Sequence, residues 1–341
     1  LDERKTLNGR RSARGVACQL THRELHRLSA TRLCSRRDAI IGGLCLCCSP
    51  RLLRAARPES IEIEEIAAGV HVRRGVHENA TVHNLDAIAN VGFVVGSDAV
   101  AVIDPGGSLA DGAHLRRRIR EITNRPIRFV LLSHVHPDHL FGAGAFLEDE
   151  PTFLGHANLP AALAQRGEYY QARLDEVLGP GKAGPIVQPT KLVEHRTSID
   201  LGDRVIELTA HSLAHTDNDV SAFDTRTRTL FTSDLLFVDR VPSLDGSLKG
   251  WLETLKALDS IAATRVVPGH GPVSTNFAKA SRPLERYLNA LLRGTRQAIA
   301  DGIPIEEAPE IVALDERSQW ALFDEYHGRN VTQAFKELEW E

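Results

Sequence analysis

Four side chains that can bind a metal fall within six residues: His134, His136, Asp138 and His139. They lie in the run Leu131-Leu132-Ser133-His134-Val135-His136-Pro137-Asp138-His139-Leu140-Phe141-Gly142. Imidazole and carboxylate suit zinc, with manganese and iron as competitors. In an extended segment alternate residues point the same way, so His134 and His136 can reach one ion together. Asp138 continues that alternation, while His139 turns to the other side. Pro137 stiffens the loop, so the ligands lose less freedom on binding. A lone His-x-His reads as a surface loop; the whole pattern behind an apolar run reads as a site.

An open two-metal site needs about seven protein ligands. The chain supplies the rest at intervals: His215 in Ala214-His215-Thr216-Asp217, Asp234 after Leu230-Phe231-Thr232-Ser233, and His270 in Val266-Val267-Pro268-Gly269-His270-Gly271. Each follows an apolar, strand-like run, which predicts a position at a strand end beside the first loop. His211, four residues before His215, reads as a neighbour that packs or shapes the mouth. His156 is a weaker candidate beyond the motif.

The elements that must position these residues alternate between strand and helix. Ile127 to Leu132 reads as a buried strand into Ser133, and a short apolar helix is expected after Gly142. Ile61-Glu62-Ile63 alternates as a half-exposed strand should, and Val70-His71-Val72 reads as a second. Asn90–Gly96 and Ala99–Ile103 read as a hairpin turned at Gly96-Ser97-Asp98. Asp104 then caps the turn at Pro105-Gly106-Gly107. Leu109 to Ile122 is an amphipathic helix whose Arg116, Arg117, Arg118 and Arg120 read as a solvated face. Asn158 is placed to cap a helix running to Leu178. Residues 179–185 read as a flexible connection between the halves of the fold. Leu248 to Ile261 and the stretch from Ala278 onward carry helical periodicity. Arg73, Arg74 and the C-terminal helices are candidates for an interface.

These motifs resemble the metallo-β-lactamase superfamily of zinc hydrolases, over residues of about 61 to 272, with Val102-Ile103-Asp104-Pro105-Gly106 as a further signature segment. The resemblance implies a four-layer αββα sandwich of the α/β (α+β) class, with the metals at one edge. By position it implies His134, His136 and His215 on the first of two Zn2+ ions, and Asp138, His139 and His270 on the second. Asp234 resembles the bridging carboxylate. Asp104 takes the role of a buried acceptor that fixes a metal-bound imidazole. The implied reaction is hydrolysis, with a bridging hydroxide oriented by Asp138 attacking the carbonyl of a thioester, lactone or related ester. The alternatives are an iron-dependent persulfide redox enzyme on the same fold, a true β-lactam hydrolase, and a binding module without catalysis. Within the superfamily, three stretches resemble the exported metallohydrolases linked to quinoprotein dehydrogenase relays and sulfur oxidation: Ala214-His215-Thr216-Asp217-Asn218-Asp219, Asp245-Gly246-Ser247-Leu248-Lys249-Gly250-Trp251, and Asn330-Val331-Thr332 through Trp340-Glu341. Arg240 lies in the loop on the substrate side and is the candidate for holding an anionic substrate group, against a simple ion pair with Asp239 or Asp245.

Charge and cysteine are distributed unevenly over the 341 residues. Residues 1–57 hold 13 Lys/Arg and 4 Asp/Glu; the remainder holds 28 and 41. An acidic body argues for a small-molecule substrate and against nucleic acid, whose phosphates need Lys and Arg. All five cysteines (Cys18, Cys34, Cys45, Cys47 and Cys48) lie in the leader, so the body holds neither a disulfide nor a thiolate ligand. Ser35-Arg36-Arg37 before a short apolar run resembles a twin-arginine export signal, which predicts a periplasmic protein; a cytoplasmic one is the alternative. That run is too short to span a bilayer as a helix. Three regions are thus expected: a leader at 1–57, a catalytic domain at 58–275, and a helical extension at 276–341 packed on it.

Overall fold

The computed structural model describes residues 62–341. The leader, its twin-arginine pair, the cysteines and Ile61 lie outside the described residues.

Seven strands form the first sheet in sequence order: β1 (Ile63–Ala67), β2 (Val70–Arg73), β3 (Val91–Val95), β4 (Val100–Ile103), β5 (Ile127–Leu132), β6 (Thr152–His156) and β7 (Lys191–Val193). The first four pair antiparallel, and β4 to β7 run parallel. Parallel neighbours require crossovers. These are α1 (Leu109–Ile122), the segment after β5, and α3 (Leu159–Leu178). They cover the outer face, where Leu115, Ile119, Phe146, Leu159 and Leu163 pack on Val100, Val102, Val130 and Leu132. The residues between, Ala101, Ile103 and Leu131, face inward and meet Leu208, Ala222, Phe231 and Val267 of the second sheet. Period-two alternation thus gives each strand two buried faces, which is why these strands read as continuous apolar runs.

The second sheet has the order β12-β11-β10-β9-β8, from β8 (Arg196–Asp200), β9 (Val205–Ala210), β10 (Val220–Asp224), β11 (Thr229–Phe237) and β12 (Arg265–His270). Its outer face is covered by α4 (Leu248–Asp259), α5 (Phe277–Ala300) and α6 (Phe323–Leu338), through Trp251, Leu255, Leu284, Leu288, Val331 and Phe335. The architecture is therefore an αββα sandwich whose C-terminal helices share a core with β11 and α4. Arg204 ties the two sheets. Its guanidinium donates to the carbonyls of Ala68 and Val95 and pairs with the buried Asp224 at 3.0 Å.

Several local expectations are corrected. No apolar helix begins after Gly142. The chain turns helical at once, as α2 (Pro137–Leu140), and continues as a 3-10 helix over Phe141–Asp149. Pro137 at the first helical position favours that early start, so the extended alternation stops at His136. Asn158 precedes α3 without capping it by its side chain; its amide donates to Asp217 O instead. Residues 179–185 do not divide the fold, because β7 beyond them still belongs to the first sheet, and the change of sheet falls between β7 and β8. Arg73 is buried against Asp111 at 2.7 Å, which removes it from any interface. Arg116 and Arg120 both bind Asp149 and so hold the 3-10 segment against α1.

Candidate metal centre

Strand ends bring the candidate residues to one edge of the sandwich. β5 runs out into Ser133 and His134, with α2 just beyond. The β9–β10 loop carries His215. Asp234 lies within β11, and His270 closes β12. The structure brings all seven together. His134, His136, His215 and Asp234 form one cluster and Asp138, His139 and His270 another. The Asp234 carboxylate spans the two: Oδ2 lies 3.6 Å from His134 Nε2 and 3.4 Å from His215 Nε2, while Oδ1 lies 3.0 Å from His139 Nε2 and 3.4 Å from His270 Nε2. Gly269 permits this approach. A Cβ there would sit 1.9 Å from Asp234 Oδ1, so only glycine fits.

The outer nitrogens fix how each imidazole faces the centre. His134 Nδ1–H donates to Ser133 Oγ (2.9 Å), His139 Nδ1–H to Asp104 Oδ2 (2.8 Å), His215 Nδ1–H to Ser243 O (2.7 Å) and His270 Nδ1–H to Ile88 O (3.0 Å). Four Nε2 lone pairs therefore point inward. His136 is reversed: its Nε2–H donates to Asp245 Oδ2 at 2.8 Å, which leaves Nδ1 facing His215 Nε2 at 2.9 Å. Two lone pairs at that distance repel unless a cation lies between them. His134 Nε2, His139 Nε2 and Asp234 Oδ1 are buried without a hydrogen-bond partner; the 3.0 Å approach of the last two is not aligned as a hydrogen bond. Buried polar atoms are normally satisfied, so these orphans fit a pair of metal ions. The donor set, imidazole and carboxylate with no thiolate, suits borderline divalent metals.

Asp104 anchors this arrangement from behind. Its carboxylate accepts from the Ser133 amide (2.9 Å), the Ser133 hydroxyl (2.9 Å) and the Ser233 hydroxyl (3.0 Å) as well as from His139. Its φ of 60° is left-handed, a conformation that Asp and Asn adopt more readily than most residues. Ser133 and Ser233 thus turn their hydroxyls toward Asp104 and away from solvent.

Charge complementarity runs through the cluster. Burial pushes the His134 imidazole well below its usual value, and the neighbouring His139 lowers it further. Burial also acts on His139, but the carboxylates of Asp234, Asp138 and Asp104 outweigh it and raise that group. For Asp234, burial is outweighed by His139 and His270, which hold the carboxyl well below the usual range. Asp86, in the same pocket, goes the other way: burial, then the charge of Asp138, push its carboxyl up.

A cavity of about 430 Å³ opens over Asp138, Asp234, His136 and His270. Its far wall comes from Tyr170 and Leu174 of α3 and from Tyr326 and Arg329 of α6. Arg240 lines it too, but no carboxylate pairs with it: its donors meet Glu78 O and the Tyr326 hydroxyl, its Nη1 lies 3.3 Å from His270 Nδ1, and it lies 5.4 Å over the Tyr326 ring. The ion pair with Asp239 or Asp245 does not form. His156 and His211 stay outside both clusters; His156 Nδ1 accepts from the Asn158 amide and His211 Nε2 meets Ser221 Oγ. Sequence reasoning missed Asp245 as the partner of His136, and with it Arg166, whose guanidinium bonds both Asp245 (3.1 Å) and Tyr170 (3.4 Å). No spacing signals these residues, because only the folded loops bring them to the ring.

Burial lowers the His211 pKa from 6.5 to about 4. The unfolded chain then takes a proton near pH 6.5 that the folded protein refuses until near pH 4. Stability present above pH 6.5 is lost as pH falls through that window, by at most about 3 kcal/mol. The expected result is that the stability gap between the protein and a His211→Gln variant narrows as pH falls from 7 to 4, read by denaturant unfolding. A constant gap would contradict it.

Fold and centre together define a class: a two-sheet sandwich that presents a dinuclear His/Asp metal-binding site at one edge. A family model described as the metallo-beta-lactamase superfamily matches residues 86–270, more than half of the chain. The chain belongs to that superfamily. Among curated relatives, a linear primary-alkylsulfatase from Pseudomonas sp. is 28% identical over 91 residues, covering 26% of this chain and 16% of that protein. A beta-lactamase-like protein 2 homolog from Caenorhabditis elegans is 22% identical over 197 residues, 58% of each chain. The chain thus spans less than two thirds of either relative. Of solved structures, a metallo-beta-lactamase from Pontibacter korlensis superposes with a TM-score of 0.55 at 18% identity, covering 67% of this chain and 98% of that one. The DIM-1 metallo-beta-lactamase gives 0.53 at 15%, covering 67% and 96%. At these identities the likeness shows the fold. Among the described residues no helix is long and apolar enough to cross a membrane. The fold and the metal-binding cluster support metal-dependent hydrolase chemistry.

Proposed function

We propose that the protein is a zinc-dependent hydrolase of an activated carbonyl, in a thioester, lactone or related ester. The observation that carries this reading is the convergence of five inward-facing imidazole nitrogens and two carboxylates at the foot of an open cavity. His134, His136, His215 and Asp234 Oδ2 would hold one ion, and Asp138, His139, His270 and Asp234 Oδ1 the other. Such a pair, when bound, supplies a water whose pKa falls from ~15.7 toward about 7 and polarises a carbonyl oxygen.

The protein's own groups do the rest. Asp138, whose side chain is 13% exposed, is the ligand carboxylate best placed to orient the attacking water and hold its proton. Asp104 and Asp245 keep the imidazoles aimed, so no reorganisation is required during reaction. Arg240 adds a fixed positive charge to the inner pocket behind His270. Neither Ser133 nor Ser233 is available as a nucleophile, because both hydroxyls are turned toward Asp104. We further propose export to the periplasm on the twin-arginine leader, and a place in the branch tied to quinoprotein relays and sulfur oxidation.

The test is elemental analysis of protein purified without added metal, followed by turnover of thioester, lactone and chromogenic β-lactam panels. About two zinc ions per chain with thioester or lactone turnover are expected. About one iron with little zinc would replace the reading by persulfide chemistry, and β-lactam turnover alone would move the substrate class.

A further inference from the structure

Part of the cavity wall comes from beyond the family match. Tyr326 and Arg329 belong to α6, whereas the match ends at residue 270. The same cavity is lined by Tyr170, Leu174 and Val177 of α3, at helical spacing. Tyr169 beside them is 64% exposed and Val177 41%. Leu174 is buried at the base of this stripe, and the exposed Tyr169 and Val177 with the half-buried Tyr170 leave apolar surface at the rim that the body of a substrate could cover.

The charges of the rim are mostly spoken for. Asp245 is held by His136 and Arg166. Arg173, which lines the cavity, pairs with Glu176. Arg240 is buried, with its donors on Glu78 O and the Tyr326 hydroxyl, its Nη1 3.3 Å from His270 Nδ1, and its face on Tyr326. Arg329 differs. It is exposed, lines the cavity, and makes no ion pair among the described residues, including with Glu325 four residues earlier. Its charge acts on the Tyr170 hydroxyl across the mouth.

We propose that the pocket selects amphipathic anionic substrates, with the apolar body along the α3 stripe and a carboxylate or similar anion held by Arg329 of α6. The C-terminal helices then set specificity as well as covering the second sheet. This rests on the hydrolase reading above and adds the substrate's charge and shape. A guanidinium matches a carboxylate in two parallel hydrogen bonds, and it lies at the rim, so the reacting bond can extend inward to Asp138.

The experiment uses the metal-loaded full chain. One probe is the mono-4-nitrophenyl ester of octanedioic acid; the other is the same ester with its free carboxylate capped as a methyl ester. A kcat/KM ratio of about ten or more in favour of the anionic probe is expected, carried by KM. Arg329→Ala should bring the ratio near one, and Arg329→Lys should keep most of it. Binding of the non-hydrolysable mono-anilide of octanedioic acid, against its methyl ester, is measured in parallel by titration calorimetry. Turnover of both esters without a charge preference, or a preference that survives Arg329→Ala, overturns the inference and leaves the hydrolase reading intact. Charge-selective anilide binding that Arg329→Ala removes, with no turnover of either ester, supports the inference and counts against ester hydrolysis. No turnover and no selective binding overturn both.

Discussion

Replacing Asp234 by Ala should strip the centre of both ions and lower hydrolysis at least about a thousandfold. Each oxygen of this carboxylate faces the ring nitrogens of a different cluster, at 3.0 to 3.6 Å. Among the seven residues, Asp234 is the one whose two oxygens face ring nitrogens of different clusters. Its loss leaves three ligands for each ion and removes the negative charge that offsets two dications in a buried site, where unpaired charge is costly. A single terminal ligand such as His134 could be partly replaced by water, but a bridge cannot, because water carries no compensating charge. Elemental analysis of Asp234→Ala should find less than one ion per chain, with far-UV circular dichroism unchanged. Retention of two ions would show that the histidines and Asp138 suffice, and the bridging role would fall.

Asp104→Asn should weaken metal affinity by about ten- to a hundredfold without touching a metal ligand's identity. Asn tolerates the left-handed φ of 60°, so the backbone is not the cause of any change. What changes is the acceptor. Four groups donate to this carboxylate: the Ser133 amide, the Ser133 and Ser233 hydroxyls, and His139 Nδ1. An amide offers one acceptor oxygen and brings two donors of its own, so at least one buried donor is left unpaired and the charge-assisted bond to His139 is lost. Each such loss costs about 1–3 kcal/mol. The His134 and His139 rings, both oriented through this network, should lose their fixed aim together. Chelator competition reads the affinity and denaturant unfolding the stability; an unchanged metal affinity would reduce Asp104 to a turn cap.

Legibility in the sequence followed the range of the interactions concerned. The His-x-His-x-Asp-His pattern is local, and so is the apolar run before it, because strand ends are where buried backbone gives way to loop. His215, Asp234 and His270 were readable for a related reason, since each comes after an apolar run, although β11 continues past Asp234 to Phe237 and His270 is itself the last residue of β12. Local rules also misled. Alternation in an extended chain assigned Asp138 to the same face as His134 and His136, yet Pro137 starts a helical turn and carries Asp138 to the other cluster with His139 and His270. Arg73 looked like a surface residue by type; Asp111, 38 residues away, buries it.

The candidate metal-binding residues and the alternation of strands with helices are local features, written in residue type and short-range period. Only the tertiary structure decided which nitrogen of each imidazole faces inward. That choice belongs to acceptors far along the chain: Ser243 for His215, Ile88 for His270, and Asp245, 109 residues on, for His136. The tertiary structure also brings Tyr326 and Arg329 of α6 into the lining of the same cavity as Tyr170 of α3. A hydrogen bond or a cavity wall depends on where two surfaces meet after folding, and no periodicity in one segment encodes the position of another.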